Sequence, residues 1–409
     1  MNIAFIIGRK IEMIRPLYIE KFNFLCSLGC NKEAVWQKLI SGIREGFIQK
    51  PFCESVCYVA ALNENDPLPQ IENKLFDSTV NRISKAILSP MKDSIERAIS
   101  KYGKDRIAVL VGSCDNGSEA SLNAVSYYKE CGKFPDGYTL DRQRADSPAR
   151  YVAELFGLSG ITMNVSTACS SGGSAFASAR NLIYSGFCDA AIVGGVDITS
   201  LPVVLGFASL EAVSPEPCNP FSKNRAGITL GNGGSFFLVT KELSENSLLR
   251  IRGIGESADA DHLTHPKADG EGAKAAMQAA LADAGLSPND IDYLNLHGTG
   301  TRLNDSMESI AVNAVFPEGI PVSSTKALTG HTLGAAAALE IAFCALSLSQ
   351  KQNENFLPVH LWDSEYDPEL PKLKFVKKGE AVKRLQTCMS NSFAFGGCNV
   401  SVIIDKVNG

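Results

Sequence analysis

One order of segments occurs twice in this chain. A predicted helix ending at Tyr102, a strand over 107–111 and the loop Gly112-Ser113 have counterparts in a helix over 272–284, a strand over 291–296 and the loop His297-Gly298-Thr299. Ser166-Thr167-Ala168-Cys169 and the small-residue helix behind it answer to Ser324-Thr325-Lys326, His331 and a helix over 332–348. Gly233-Gly234-Ser235 leading into a strand over 236–241 answers to Gly396-Gly397-Cys398 leading into a strand over 399–406. Matches in one order predict two halves of like topology, joined near 242–249. Short buried strands alternating with helices make each half α/β, with helices covering a mixed sheet.

Pseudo-symmetric packing of such halves has a chemical consequence. It puts Cys169 and the segment 326–331 at equivalent strand–helix junctions, both facing the seam. His297 falls at the counterpart of the 112–113 loop. Residues 161–165 read as a buried strand and 176–184 as a helix ending at Gly186, so Cys169 lies close to a helix N-terminus. Unpaired N–H groups there favour an anion, which predicts thiolate over thiol. The surrounding Ser, Gly and Ala let another backbone or a thin acyl arm approach. A small core cysteine is the other reading of this stretch. Of the five histidines, His262 and His265 read as solvated and His360 as structural, in a polar turn near Trp362. His297 and His331 sit in glycine-rich loops beside buried segments. Two imidazoles delivered to one cysteine point to catalysis.

The remaining segments frame this core. Residues 17–25 alternate as a strand with one slip. Asn31 caps a helix over 32–41 that Gly42 ends. Residues 43–77, with prolines at 51, 67 and 69, read as irregular. A helical pattern over 79–102 is broken at Pro90, which predicts two helices. A strand follows over 106–111, then a polar and aromatic excursion over 114–150 that covers something, such as a subunit interface. A helix over 147–156 and a strand over 190–196 complete the first half. Residues 1–12 fit the pattern poorly and read as an N-terminal extension ahead of Met13, leaving halves of 13–245 and 246–409.

Composition narrows the function classes. The 409 residues carry a net charge of −5, which argues against nucleic acid or an anionic membrane as partner. Arg9-Lys10 follows the short apolar start instead of preceding it, the wrong order for a signal peptide. The most apolar stretch, 333–348, holds Glu340 and is too short to span a bilayer, so it reads as a buried helix. Twelve scattered cysteines fit reduced thiols in a cytoplasm better than disulfides. Cys26, Cys30, Cys53 and Cys57 have loose spacing and no histidine nearby, so no metal site is expected.

Four blocks together resemble one family: Val165-Ser-Thr-Ala-Cys169-Ser-Ser, His297-Gly-Thr-Gly-Thr301, Lys326-Ala-Leu-Thr-Gly-His331 and Asn391-Ser-Phe-Ala-Phe-Gly-Gly397. They look like the signatures of β-ketoacyl-[acyl carrier protein] synthases, and the likeness runs from about residue 16 to 406. The resemblance implies a thiolase-like fold, two pseudo-symmetric α/β halves in a layered α-β-α-β-α core. It implies decarboxylative Claisen condensation on substrates carried by acyl carrier protein, with no separate cofactor. It also implies a homodimer, or a heterodimer with a related ketosynthase or chain-length subunit. By this likeness Cys169 takes the acyl group, and the N–H groups of Cys169 and Phe395 form an oxyanion hole. His297 and His331, each with Nε–H inward, hold the enolate. Lys326 stands beside the second histidine with Glu340 as its carboxylate partner, and Glu308 is a second candidate for that cluster. Thr299 and Thr301 bind the phosphopantetheine arm, and Phe395 gates the acyl pocket.

Some positions depart from the family pattern. Arg302-Leu303-Asn304-Asp305 replaces a common Pro-Val-Gly-Asp run. Ala394 replaces a glycine, which predicts a stiffer gate because alanine resists positive φ. Cys398 replaces a threonine. These departures lean towards polyketide or aryl-polyene synthesis over housekeeping fatty-acid synthesis. Competing readings are a non-catalytic chain-length partner, which would lack Cys169, a coenzyme-A thiolase using a second cysteine, and a Cys/His hydrolase, in which Lys326 has no task.

Overall fold

The computed structural model describes residues 15–52, 55–115, 117–350 and 355–407. In chain order the first half supplies β1 (Leu17–Leu25), β2 (Phe47–Phe52), β3 (Ser55–Ala60), β4 (Ile107–Gly112), β5 (Thr162–Val165), β6 (Ala190–Asp197), β7 (Leu230–Gly231) and β8 (Gly233–Thr240). The second supplies β9 (Leu249–Ala258), β10 (Tyr293–Asn295), β11 (Pro321–Ser323), β12 (Lys374–Phe375), β13 (Thr387–Phe393) and β14 (Cys398–Lys406). Eleven of these strands form one sheet, ordered β12-β11-β10-β13-β14-β9-β1-β8-β6-β4-β5.

Read outward from the central β1–β9 pair, the two sides match. β1, β8, β6, β4 and β5 are joined antiparallel, antiparallel, parallel, parallel. β9, β14, β13, β10 and β11 repeat that pattern. The chemistry of the strands explains the placement. β4 (IAVLVG) and β6 (AAIVGGVD) are buried at every position, as expected of strands covered on both faces. The slip expected in β1 is a register shift between Ile19 and Lys21.

The helices are α1 (Lys32–Ser41), α2 (Thr79–Leu88), α3 (Lys92–Tyr102), α4 (Ser118–Cys131), α5 (Ser147–Phe156), α6 (Ser171–Tyr184), α7 (Leu201–Ser209), α8 (Glu271–Ala284), α9 (Arg302–Val315), α10 (Lys326–Thr329) and α11 (Ala336–Leu348). Asn31 accepts from the Ala34 N–H and Gly42 ends α1 at φ 68°. Pro90 sits in a 3-10 turn between α2 and α3. α11 is buried at all thirteen positions and touches α6, β6 and β8 on one side and β13 and β14 on the other. It is the inner helical layer with α6, while α2 and α8 cover the outer faces of the two half-sheets.

Three expectations need correction. Residues 43–77 are not wholly irregular: β2 and β3 pair there, and Pro51 is tolerated because β2 is an edge strand. The excursion over 114–150 contains α4, whose apolar Val125, Tyr127 and Tyr128 are exposed. α6 begins at Ser171, five residues before the expected start. The proposed extension, 1–12, and Cys53 lie outside the described residues. Cys26, Cys30 and Cys57 are free thiols. Among the described residues, no helix is long and apolar enough to cross a membrane.

Candidate active site

Cys169 sits between β5 and α6, directly before Ser170, the residue that caps the helix. The turn is tied by serines: Ser170 Oγ donates to Thr167 O (2.8 Å), and Ser171 Oγ donates to Ala168 O (2.5 Å). Ala168 is left-handed at φ 51°, which turns the chain sharply into the nucleophile. Gly172 follows because a Cβ there would stand 2.9 Å from the Ala338 nitrogen. The small residues therefore let α6 lie against α11 and push Cys169 into the seam, where it is 7% exposed.

The second half supplies both imidazoles. His331 Nε2 is 3.1 Å from Cys169 Sγ, and the two histidine rings meet edge-on with centroids 5.4 Å apart. Their partners fix the tautomers. The Leu333 N–H donates to His331 Nδ1 (3.2 Å), so the proton belongs on Nε2. Lys326 Nζ reaches Glu340 Oε1, His297 O (2.6 Å) and His297 Nδ1 (3.4 Å). Three acceptors use the three N–H groups of an ammonium, so His297 Nδ1 also accepts and its Nε2 carries the proton. Ligand-capable atoms of Cys169, His297 and His331 lie within 4.8 Å of one another, a spacing a metal ion could use. With donors on both Nδ1 atoms, however, the rings offer N–H groups to the centre instead of lone pairs.

Electrostatics corrects the thiolate expectation. Burial pushes the Cys169 thiol up to about 11, against the pull of the Lys326 charge and the Phe395 N–H. The helix terminus does not outweigh the loss of water, so the resting sulfur is a thiol. Burial, reinforced by Lys326, lowers both imidazoles well below their usual range and leaves them neutral. Burial also raises Glu340 to about 7, with Lys326 drawing it back.

The two candidate carboxylates separate. Glu340, on α11, holds Lys326. Glu308, on α9, accepts instead from the N–H groups of His297 (2.8 Å) and Gly298 (2.7 Å), and so braces the histidine loop. It is not the lysine's hydrogen-bond partner. His360 is buried, not in a polar turn: it stacks on Phe375 (4.1 Å) and accepts from the Ser324 N–H (3.1 Å). His262 and His265 are exposed and stacked on each other (4.4 Å).

A cavity of about 400 Å³ opens onto the trio, and Thr299, Thr301, Phe207 and Phe395 line it. The two threonine hydroxyls are 2.9 Å apart. The Phe395 ring leans on Phe207 at 5.6 Å. Ala394 does not strain this loop: it is extended (φ −105°, ψ 156°), and the left-handed positions are Gly396 and Gly397. Cys398 is not among the lining residues. Phe207 and Asp197 went unnoticed in the sequence. Phe207 lies on a helix with no polar face, and Asp197 closes a strand whose residues are otherwise apolar or glycine.

Known proteins agree with this geometry. The family models for the N-terminal and C-terminal domains of β-ketoacyl synthase match residues 73–245 and 248–360. Nodulation protein E of Rhizobium meliloti is 34% identical over 97% of this chain and 100% of its own length. The 3-oxoacyl-[acyl-carrier-protein] synthase 2 of Staphylococcus aureus (strain COL) is 29% identical over 96% of this chain and 98% of its own. A ketosynthase in complex with its chain length factor, from Xenorhabdus doucetiae, superposes with a TM-score of 0.88 at 37% identity, covering 96% of this chain and 98% of that one. A β-ketoacyl synthase from Burkholderia phymatum STM815 gives 0.83 at 28%, covering 96% and 100%. A sulfur facing protonated nitrogens of two neutral imidazoles, in a chain that both models match, has one home: the chain belongs to the β-ketoacyl synthase family, as a condensing acyltransferase of the thiolase-like fold with Cys169, His297 and His331 as its catalytic triad.

Proposed function

We propose that the chain lengthens an acyl group borne on acyl carrier protein, using malonyl-carrier protein, in fatty-acid, polyketide or aryl-polyene synthesis. The observation that carries this reading is the pair of Nε2–H groups, one of them 3.1 Å from Sγ. In the first step Sγ attacks the carrier thioester. A new S–C bond forms at Cys169, and the pantetheine sulfur leaves with the proton. The N–H groups of Cys169 and Phe395 receive the transient oxyanion, each donor being worth about 3 kcal/mol. Thr299 and Thr301 grip the arm, and Phe395 gates the acyl pocket. In the second step the malonyl C–C bond to the carboxylate breaks and carbon dioxide leaves. The electron pair moves onto the thioester oxygen, where both imidazoles donate to it. The enolate carbon then bonds to the acyl carbon, the Cys169 S–C bond breaks, and the sulfur takes up a proton. Lys326, held by Glu340, keeps His297 in the donating tautomer.

The partner is a related ketosynthase or chain-length subunit, or a second copy. Support comes from β5, an open sheet edge with Met163 41% exposed, and from the exposed Tyr128, Phe134 and Leu140 near α4. We place the enzyme in the cytoplasm, as halves of 13–245 and 246–409.

Incubation with malonyl-carrier protein and a panel of acyl-carrier proteins, read by mass spectrometry, tests the reading. A 3-oxoacyl product with release of carbon dioxide is expected. Cys169→Gln should abolish self-acylation while decarboxylation persists or rises. His297→Ala and His331→Ala should still acylate but release little carbon dioxide; normal decarboxylation by both would remove the assigned roles.

A further inference from the structure

A buried carboxylate outside the catalytic trio gathers donors from both halves. Asp197 closes β6 at 1% exposure. Its Oδ1 accepts from the Ser113 hydroxyl (3.0 Å) and the Asp115 N–H (3.0 Å). Its Oδ2 accepts from the N–H groups of Cys114 (2.9 Å) and Gly334 (2.7 Å). Ser113, Cys114 and Asp115 form the loop after β4. Gly334 belongs to the turn that follows His331, across the seam.

That turn is bent in an unusual way. Thr332 is near the right-handed region (φ −85°, ψ 27°) and Leu333 is left-handed at φ 55°. This alternation turns successive N–H groups inward and makes an anion-binding nest. The Gly334 N–H goes to Asp197, and the Leu333 N–H goes to His331 Nδ1 (3.2 Å). A left-handed leucine crowds its Cβ against the following carbonyl oxygen, so the neighbouring contacts must hold it. A Cβ on Gly334 would stand 2.7 Å from Asp197 Oδ2, so the approach needs glycine.

We propose that Asp197 is the positioning residue for His331. By anchoring the Gly334 N–H from the opposite half, it holds Leu333 left-handed, keeps a donor on His331 Nδ1, and so keeps the proton on the Nε2 that faces Cys169. The inference rests on the condensing reaction for its kinetic readout alone. His297 is held by a different device, Lys326, and serves as an internal control.

The test uses full-length protein with 15N-labelled histidine. In the wild type, His331 should show a protonated Nε2 and a bare Nδ1. Asp197→Asn replaces one acceptor oxygen with an NH2 group. It should mix the His331 tautomers, leave His297 unchanged, and lower kcat for malonyl-carrier decarboxylation about tenfold with KM little altered. Gly334→Ala sets a methyl group 2.7 Å from Oδ2 and 3.0 Å from the Cys114 nitrogen, which pushes the turn off the carboxylate, and should do the same. Ser113→Ala loses only a first-half hydroxyl and should leave both readouts intact. An unchanged His331 tautomer and kcat in Asp197→Asn and Gly334→Ala overturns the proposal. Equal scrambling of both histidines also overturns it, since that marks general loosening. A wild type that does not decarboxylate would count against the reaction, while the spectra would still decide the role of Asp197.

Discussion

At Cys169 the burial that shields an acyl-enzyme from water also keeps the free sulfur protonated. Alkylation by iodoacetamide should therefore be slow at neutral pH and accelerate as pH rises towards about 11. Lys326→Met, which removes the positive charge favouring thiolate, should slow it further at any fixed pH. A rate already at its plateau at pH 7 would contradict this. The imidazoles run the other way. Burial holds both neutral well below 6.5, so the ring 15N signals of His297 and His331 should stay those of neutral imidazoles as pH drops from 8 through 6.5. An imidazolium signal from either ring at 6.5 would be the contrary outcome. At this scale the sequence located the sulfur and both rings through their motifs. It misjudged the sulfur's charge, because the helix terminus is visible in a local pattern and desolvation is a property of the whole fold. It also left Glu308 and Glu340 sharing one task, since nothing in their spacing says which loop each reaches.

Among the elements, α11 carries the sharpest energetic liability. Glu340 is paired with Lys326 inside a helix otherwise made of apolar residues and one serine. Lys326→Met should destabilise the protein by about 3–5 kcal/mol in urea unfolding, because it strands a buried carboxyl. Lys326→Met combined with Glu340→Leu should recover most of that loss. The loop before Phe395 behaves differently from its sequence reading. Ala394 is extended, so Ala394→Gly relieves nothing and should cost about 0.4–1 kcal/mol through the unfolded chain, seen as a lower denaturation midpoint. Regular elements with a buried stripe, such as α2 and β4, could be read directly. α4 escaped because Val125, Tyr127 and Tyr128 face outward, so no inward period marks it as a helix. β2 escaped because Pro51 looks like a strand breaker until its edge position is known.

For the whole molecule, the repeated segment order was the most informative feature of the sequence. It anticipated the mirrored strand orders on either side of the β1–β9 pair and the meeting of Cys169 with His331. What it could not convey was the hub at Asp197, which depends on a carboxylate reaching across that mirror. The open β5 edge belongs to this scale too. Met163→Asp should shift the purified chain, or its complex with a related subunit, towards monomer in sedimentation, with the fold intact by circular dichroism. Finally, a rod of alanine and leucine clad by strands of both copies leaves neither copy able to melt alone. The duplicated scaffold is thereby welded into a single cooperative unit. Amides over 336–348 should be the last to trade hydrogen for deuterium, at the pace of global opening.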